Sequence, residues 1–122
     1  MRRAAAHELN EDVIPALVLD VTEQRLRELF PVPFSSVDSS AEPEPSIAAL
    51  VELETGGYCV VTFGLVTHHA TISFPEAADV SRMAASLCRE IDIRKNEVQW
   101  AATDARVALE NDSATVATGR AR

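Results

Sequence analysis

Two apolar-rich runs, residues 47–54 and 58–63, carry the clearest pattern of the chain and predict a pair of β-strands. Residues 55–57 between them include two glycines, which supply the positive φ that tight hairpin loops need. A three-residue loop at 55–57 places the apolar side chains of both strands on one face, whereas a two-residue loop mixes apolar and polar faces. The predicted hairpin pairs Leu53 with Cys59, Val51 with Val61, and Ala49 with Phe63.

Alternation over residues 67–74 predicts a third strand, which extends the hairpin into an antiparallel meander. His68 falls on the apolar side of this alternation and His69 on the polar side, so we expect His68 in the core and His69 at the surface. Residues 77–91 predict a helix that covers the meander, since their apolar positions form one continuous stripe. The stripe consists of Val80, Met83, Ala84, Leu87, Cys88 and Ile91.

The N-terminal part of the chain predicts helix, with one ambiguity. Residues 23–30 have apolar positions at helical spacing, Thr22 can cap their first turn, and Pro31 ends them. Residues 13–21 fit a helix with Pro15 in its first turn, but their β-branched side chains also suit a strand. We take helix as the prediction for 13–21 and keep the strand as the alternative.

Two further short strands, at residues 97–101 and 105–109, complete the predicted fold. Their inward side chains would be Val98, Trp100, Val107 and Leu109. The fold class is then α+β, an antiparallel sheet made of a three-stranded meander plus a C-terminal strand pair, with helices packed on one face, in the order α-βββ-α-ββ. We expect residues 1–110 to form a single domain, with a flexible loop at 35–46 and a disordered tail at 111–122.

Composition narrows the classes of function and compartment. The chain has 122 residues, a net charge of −8 and a pI near 4.8, and this acid excess argues against nucleic-acid binding. Its apolar runs fall far short of the ~18 residues that a membrane-spanning helix needs. Early acidic residues interrupt any export signal, and two cysteines do not form a disulfide framework. We therefore expect a cytoplasmic protein with no membrane partner, and its arginine-rich, lysine-poor composition suggests a GC-rich bacterial genome.

The residue types that carry catalysis do not converge in the sequence. Adjacent residues on a strand point to opposite faces, so His68 and His69 are not expected to ligate one metal ion together. The chain lacks a nucleophile elbow and a phosphate-binding loop, and apolar surroundings are expected to raise the pKa of the Cys59 thiol. We therefore expect a protein that is not an enzyme and that uses no metal and no cofactor.

Binding to another protein is the function that these observations favour. The outward side of the meander carries acids, an aromatic residue and hydroxyl groups, which suits a basic partner. The candidate partner-binding residues are Glu52, Glu54, Tyr58, Thr62, His69 and Thr71. We expect a non-enzymatic adaptor that masks a basic partner protein, and a homodimer is a further expectation. The alternative is a small-molecule-binding domain or an enzyme that uses the face around His69, Glu52 and Tyr58.

The size and charge are similar to those of immunity proteins against basic toxins and of acidic secretion chaperones. The predicted order α-βββ-α-ββ also resembles that of type III secretion chaperones, although no motif is shared. That resemblance implies a protein that binds and masks another protein. The chain departs from the pattern at residues 111–122, which do not predict the terminal helix expected there.

Overall fold

The computed structural model describes residues 1–37 and 44–110, which form one seven-stranded antiparallel sheet with helices packed on one face. This architecture confirms the predicted α+β class. The strands are β1 (Arg2–Arg3), β2 (Val13–Asp20), β3 (Ser35–Val37), β4 (Ser46–Glu52), β5 (Tyr58–Gly64), β6 (His69–Pro75) and β7 (Val98–Ala101). The helices are α1 (Glu23–Leu29), α2 (Val80–Glu90) and α3 (residues 103–110), and short 3-10 turns lie at Ala6–Glu8 and Lys95–Glu97. The order across the sheet is β1-β4-β5-β6-β2-β7, and β3 also pairs with β4.

The meander of β4, β5 and β6 buries the face that the sequence assigned to the core. Each of its inward side chains is at most 8% exposed. These side chains are Ile47, Ala49, Val51, Cys59, Val61, Phe63, Ala70, Ile72 and Phe74. They join one cluster with Leu26 and Phe30, from α1 and its C-terminal cap, and with Leu87 of α2, so the helices cover this face of the sheet.

The loop between β4 and β5 has three residues, as predicted, but begins one residue earlier. The Leu53 N–H donates to the Gly57 carbonyl at 2.7 Å, which leaves residues 54–56 as the loop. The strand partners are Val51 with Cys59, Ala49 with Val61 and Ile47 with Phe63, so the predicted partners were wrong by two residues. In this register Gly56 takes φ +94° in the loop, a conformation that glycine adopts without strain, and Gly57 lies beside the Met83 side chain.

The prediction of helix for residues 13–21 was wrong, because Val13–Asp20 forms strand β2 between β6 and β7. Leu17 and Leu19 are 2% and 0% exposed in the core. Pro15, which has no N–H to donate, lies where the pairing with β6 shifts before Leu17. The β-branched residues of this segment suit a strand with neighbours on both sides, and that packing overrides the helical tendency.

The prediction of a C-terminal pair of strands was correct for the first strand and wrong for the second. Strand β7 forms where a strand was predicted, but residues 105–109 belong to helix α3. Ala105 and Ala108 share one helical face and are 0% and 5% exposed, whereas Val107 points outward at 47% exposure. The buried positions of this segment therefore follow the helical spacing of its two small residues and not the alternation that predicted a strand.

Two rings that were expected in the core lie at the surface. Trp100 is 45% exposed, because it lies opposite Val18 on the side of the sheet away from the helices. His68 belongs to the turn before β6, has φ +59° and is exposed. Its ring stacks on Phe63 with the ring centroids 5.9 Å apart. His68 therefore covers one end of the core without entering it.

Helices α1 and α2 begin at side-chain caps, and an ion pair links α1 to the turn before β7. The Thr22 hydroxyl accepts the Arg25 N–H at 3.1 Å, as predicted for α1, whereas α2 begins at Val80, three residues after the predicted start, with Asp79 as its cap. Arg25 also donates from Nε to Glu97 at 2.7 Å, and this hydrogen bond lowers the pKa of Glu97. The pair ties α1 to the turn that precedes β7.

The predicted loop at 35–46 is shorter in the structure, because Ser35–Val37 forms β3 and β4 begins at Ser46. Residues 38–43 and the predicted tail at 111–122 lie outside the described residues. The described residues share one hydrophobic core.

Replacing Leu19 by alanine tests the central position of β2. We expect Leu19→Ala to lower the free energy of unfolding by about 2–5 kcal/mol, because the side chain is buried and leaves a cavity. Leu65→Ala is the matched control, since Leu65 is 37% exposed in the turn between β5 and β6. Urea unfolding measures both. A Leu19→Ala loss no larger than that of the control would contradict the assignment of β2 to the core.

Candidate functional site

The candidate site lies on the outer face, which we define as the side of the sheet that the helices leave uncovered. Its central row crosses five neighbouring strands, which span roughly 19 Å at the usual strand spacing. The row runs Ala48, Thr62, Thr71, Val18 and Trp100. Beside it, Leu50 lies opposite Val60, and both are partly exposed. The middle of the face thus combines apolar side chains with the two adjacent threonine hydroxyls.

Trp100 gives the central row its largest apolar surface. The ring is 45% exposed although it lies within a strand, and it neighbours Val18 across the β2–β7 pairing. Strand β7 is the last strand on its side of the sheet within the described part of the chain. An indole at such a position offers apolar area and one N–H donor to a partner.

A polar corner, formed by Arg2, Glu8, Glu52 and Tyr58, closes one end of the outer face. Arg2 donates to Glu52 and, at 2.6 Å, to Glu8, while the Tyr58 hydroxyl donates to Glu8 at 3.3 Å. The hydrogen bond from Arg2 lowers the pKa of Glu8 to about 2. Partial burial, together with the Glu52 and Glu8 carboxylates, raises the pKa of Tyr58. Arg2 therefore offsets much of the negative charge of Glu52.

The opposite end of the face carries His69, which lies across from Asp20. The nearby Glu44 carboxylate accepts hydrogen bonds from the Thr67 and Val66 N–H groups, each at 2.9 Å. These bonds lower the pKa of Glu44. They also fix the turn between β5 and β6, and Val66 stands 71% exposed at its tip.

Five of the six sequence-predicted site residues lie on the outer face, but they do not form one cluster. Thr62 and Thr71 are cross-strand neighbours. Tyr58 and His69 lie at opposite ends, because the register places them six residues apart along the strands, roughly 20 Å. Glu54 is elsewhere: it lies in the β4–β5 loop, its side chain is 77% exposed, and its N–H donates to Glu90, the last residue of α2.

Sequence reasoning missed the residues that dominate the outer face. Trp100 was assigned to the core, and Val18 was hidden by the helical interpretation of its segment. Arg2 contacts Glu52, and Glu8 contacts Tyr58, each across 50 residues of sequence. No local sequence pattern indicates such a contact. The alternation in β7 predicted Val98 and Trp100 on one face, but the pairing with β2 shifts its register between them, so Val98 packs against the core and Trp100 lies on the outer face.

Other chemistry receives little support from the described residues. Within them, no three His, Cys, Asp or Glu side chains come together to hold a metal ion. Burial raises the pKa of the Cys59 thiol to about 12, so it is a poor nucleophile at neutral pH. No helix in the described part of the chain has the length and apolar character to cross a membrane. Comparisons with protein-family models, curated proteins and solved structures find no match.

The polar corner predicts a specific acid titration. The Glu8 carboxyl should titrate near pH 2 rather than at its ordinary value of 4.5, and Arg2→Ala should return it toward that value. Since the folded pKa is lowered, the stabilisation is complete above the ordinary value and is lost as the pH falls toward 2. Carboxyl-carbon NMR measures the titration in the wild type and in Arg2→Ala. A wild-type Glu8 that titrates at its ordinary value of 4.5 would contradict the arrangement.

Proposed function

We propose that the chain is a non-enzymatic adaptor whose outer face binds and masks a basic partner protein. The observation that carries the proposal is the 45% exposure of Trp100 on strand β7, beside the apolar Val18 of β2. The outer face of an antiparallel sheet is usually polar where it meets water. Leu50, Val60 and Val18 instead leave it partly apolar, and apolar patches on soluble proteins mark interaction sites.

Trp100 is the proposed anchor of the contact. Tryptophan is enriched among the few side chains that supply most of the binding energy at interfaces. Thr62 and Thr71, farther along the same row, provide hydrogen-bonding groups on the same face. An extended face that combines an exposed indole with apolar and hydroxyl side chains suits a protein surface better than a small molecule.

The charge of the chain supports a basic partner. The net charge is −8, and Asp20 at one end of the face forms no ion pair with any described residue. Asp12 and Glu76 are likewise unpaired among the described residues, where β2 begins and β6 ends. Such charges at the rim accelerate encounter with a positive surface and select against acidic proteins. Glu52 contributes less than its sequence position suggested, because Arg2 offsets it.

The alternative of a small-molecule site around His69, Glu52 and Tyr58 gains no support from the geometry. His69 and Tyr58 lie at opposite ends of the face, so the three side chains do not surround one ligand. Our proposal is therefore an immunity-like or chaperone-like adaptor that masks a basic partner protein. Association with a second copy of the chain is a separate outcome of the experiment described next.

A capture experiment with paired variants tests the proposal. The immobilised chain is exposed to lysate of its source organism, the retained protein is identified and purified, and its affinity is measured. Trp100→Ala should weaken binding about thirtyfold, the expected loss for an interface anchor. Val107→Ala is the control, because Val107 is 47% exposed on α3, on the helix-covered side. High salt should release the partner, since it screens the rim charges.

Binding that is equal for wild type, Trp100→Ala and Val107→Ala would overturn the proposed face. Capture of an acidic partner whose binding is insensitive to salt would overturn the proposal that charges at the rim attract a basic protein. The solution mass of the chain alone identifies self-association, and a dimer that is lost in Trp100→Ala would assign the face to a second copy instead.

A further inference from the structure

A second site lies on the helix-covered side of the sheet, where a cavity of about 560 Å³ opens at the C-terminal ends of α1 and α2. This volume is within the range of about 300–1,000 Å³ that is usual for ligand pockets. The lining residues are Met1, Arg25, Glu28, Leu29, Pro31, Glu54, Arg89, Glu90, Ile91 and Asp92. The cavity opens on the opposite side of the sheet from the outer face, so what it binds does not depend on the proposed function.

Glu90 is the unusual member of this lining. Its side chain is only 9% exposed, although carboxylates are rarely buried without a close partner. Oε2 accepts the Glu54 N–H at 3.0 Å, whereas Oε1 is buried and accepts no hydrogen bond from any described residue. A buried carboxylate oxygen of this kind is costly unless a positive group can reach it.

The surroundings of Glu90 favour a cation. Glu28, Glu54 and Asp92 also line the cavity, and Glu90 ends an 11-residue helix, whose C-terminus carries partial negative charge. Arg25 is already committed to Glu97, to the Asp92 carbonyl and to Glu28 at 3.6 Å, so the acidic groups of the lining other than Glu28 supply most of its uncompensated negative charge. Arg89 is exposed, so water and salt screen its charge more than they screen that of Glu90.

The spacing of the carboxylates and the apolar part of the lining indicate which kind of cation fits the cavity. The carboxylates are too dispersed to surround a metal ion, and no such group occurs within the described residues. Leu29, Pro31 and Ile91 add apolar wall beside Glu90. A compact ammonium group on an apolar stem satisfies both features, because the charge meets the carboxylate while the stem packs on the wall.

The structure also places one ammonium group beside this carboxylate. The Met1 α-ammonium lies 3.4 Å from Glu90 Oε1 and 3.9 Å from Glu54 Oε1. It forms an ion pair with Glu90 but no hydrogen bond to Oε1. We propose that this cavity is a binding site for an alkylammonium group, which pairs with Glu90 in competition with the Met1 α-ammonium.

NMR titration of the full chain tests the site directly. The probes are n-butylammonium, as a free amine, and Nα-acetyl-lysine N-methylamide, as a lysine side chain in a peptide; 1-butanol is the uncharged control. The Glu54 amide reports on binding, because it donates to Glu90. Both amines should shift this signal, and 1-butanol should not. Tighter binding of the lysine derivative would identify a peptide source, and tighter binding of n-butylammonium a free amine.

Variants separate the site from general charge effects. Glu90→Gln preserves the shape but removes the charge, so it should weaken amine binding at least about tenfold. Glu76→Gln removes one exposed carboxylate outside the cavity and should leave binding unchanged. If Glu90→Gln does not fold, Asp92→Asn, at an exposed lining residue, should weaken binding by a smaller factor.

Acetylation of the Met1 α-amino group should strengthen amine binding several-fold, because it removes the competing charge. The site is overturned if neither amine shifts the Glu54 amide even in the acetylated protein. It is also overturned if 1-butanol gives the same shift, or if Glu90→Gln binds the amines as well as Glu76→Gln does.

Discussion

The pairing of β2 between β6 and β7 is the constraint on which the rest of the structure depends. Because β1 lies at the far edge beside β4, the segment that joins β1 to β2 must cross the width of the meander. Its ends are tied by hydrogen bonds from Ala4 N–H to the Leu50 carbonyl and from Glu76 N–H to the Asp12 carbonyl. Leu17 and Leu19 then complete the core on one side of β2, while Val18 faces outward beside Trp100. One face of β2 thus contributes to the core and the other face contributes to the candidate site.

The meander was predictable because it is buried on one side only. Alternation reveals a strand when one face is apolar and the other polar, as in residues 69–74. Strand β2 is apolar on both sides at Leu17, Val18 and Leu19, so its sequence has no period that separates strand from helix. The loop at 54–56 shows a finer limit: the sequence indicated a glycine turn, but it did not show that Gly56 takes the positive φ in the loop while Gly57 pairs with Leu53.

The candidate site was harder to predict than the fold, for two physical reasons. Polar residues were chosen as site residues because they faced outward, yet Glu52 is held by Arg2, a contact across 50 residues that no local pattern shows. Apolar residues were assigned to the core by default, which concealed Trp100. Residue type alone therefore does not reveal a protein-binding face, because its anchors have the same chemistry as the core.

The fluorescence of Trp100, the one tryptophan of the chain, tests the central claim most directly. A partner bound on the outer face should bury the indole, so its emission should shift to shorter wavelength and its quenching by acrylamide should fall. A stoichiometric complex with an unlabelled, tryptophan-free partner fragment gives the cleanest signal. If such a complex forms while the emission and the quenching of Trp100 stay unchanged, the outer face is not the binding surface.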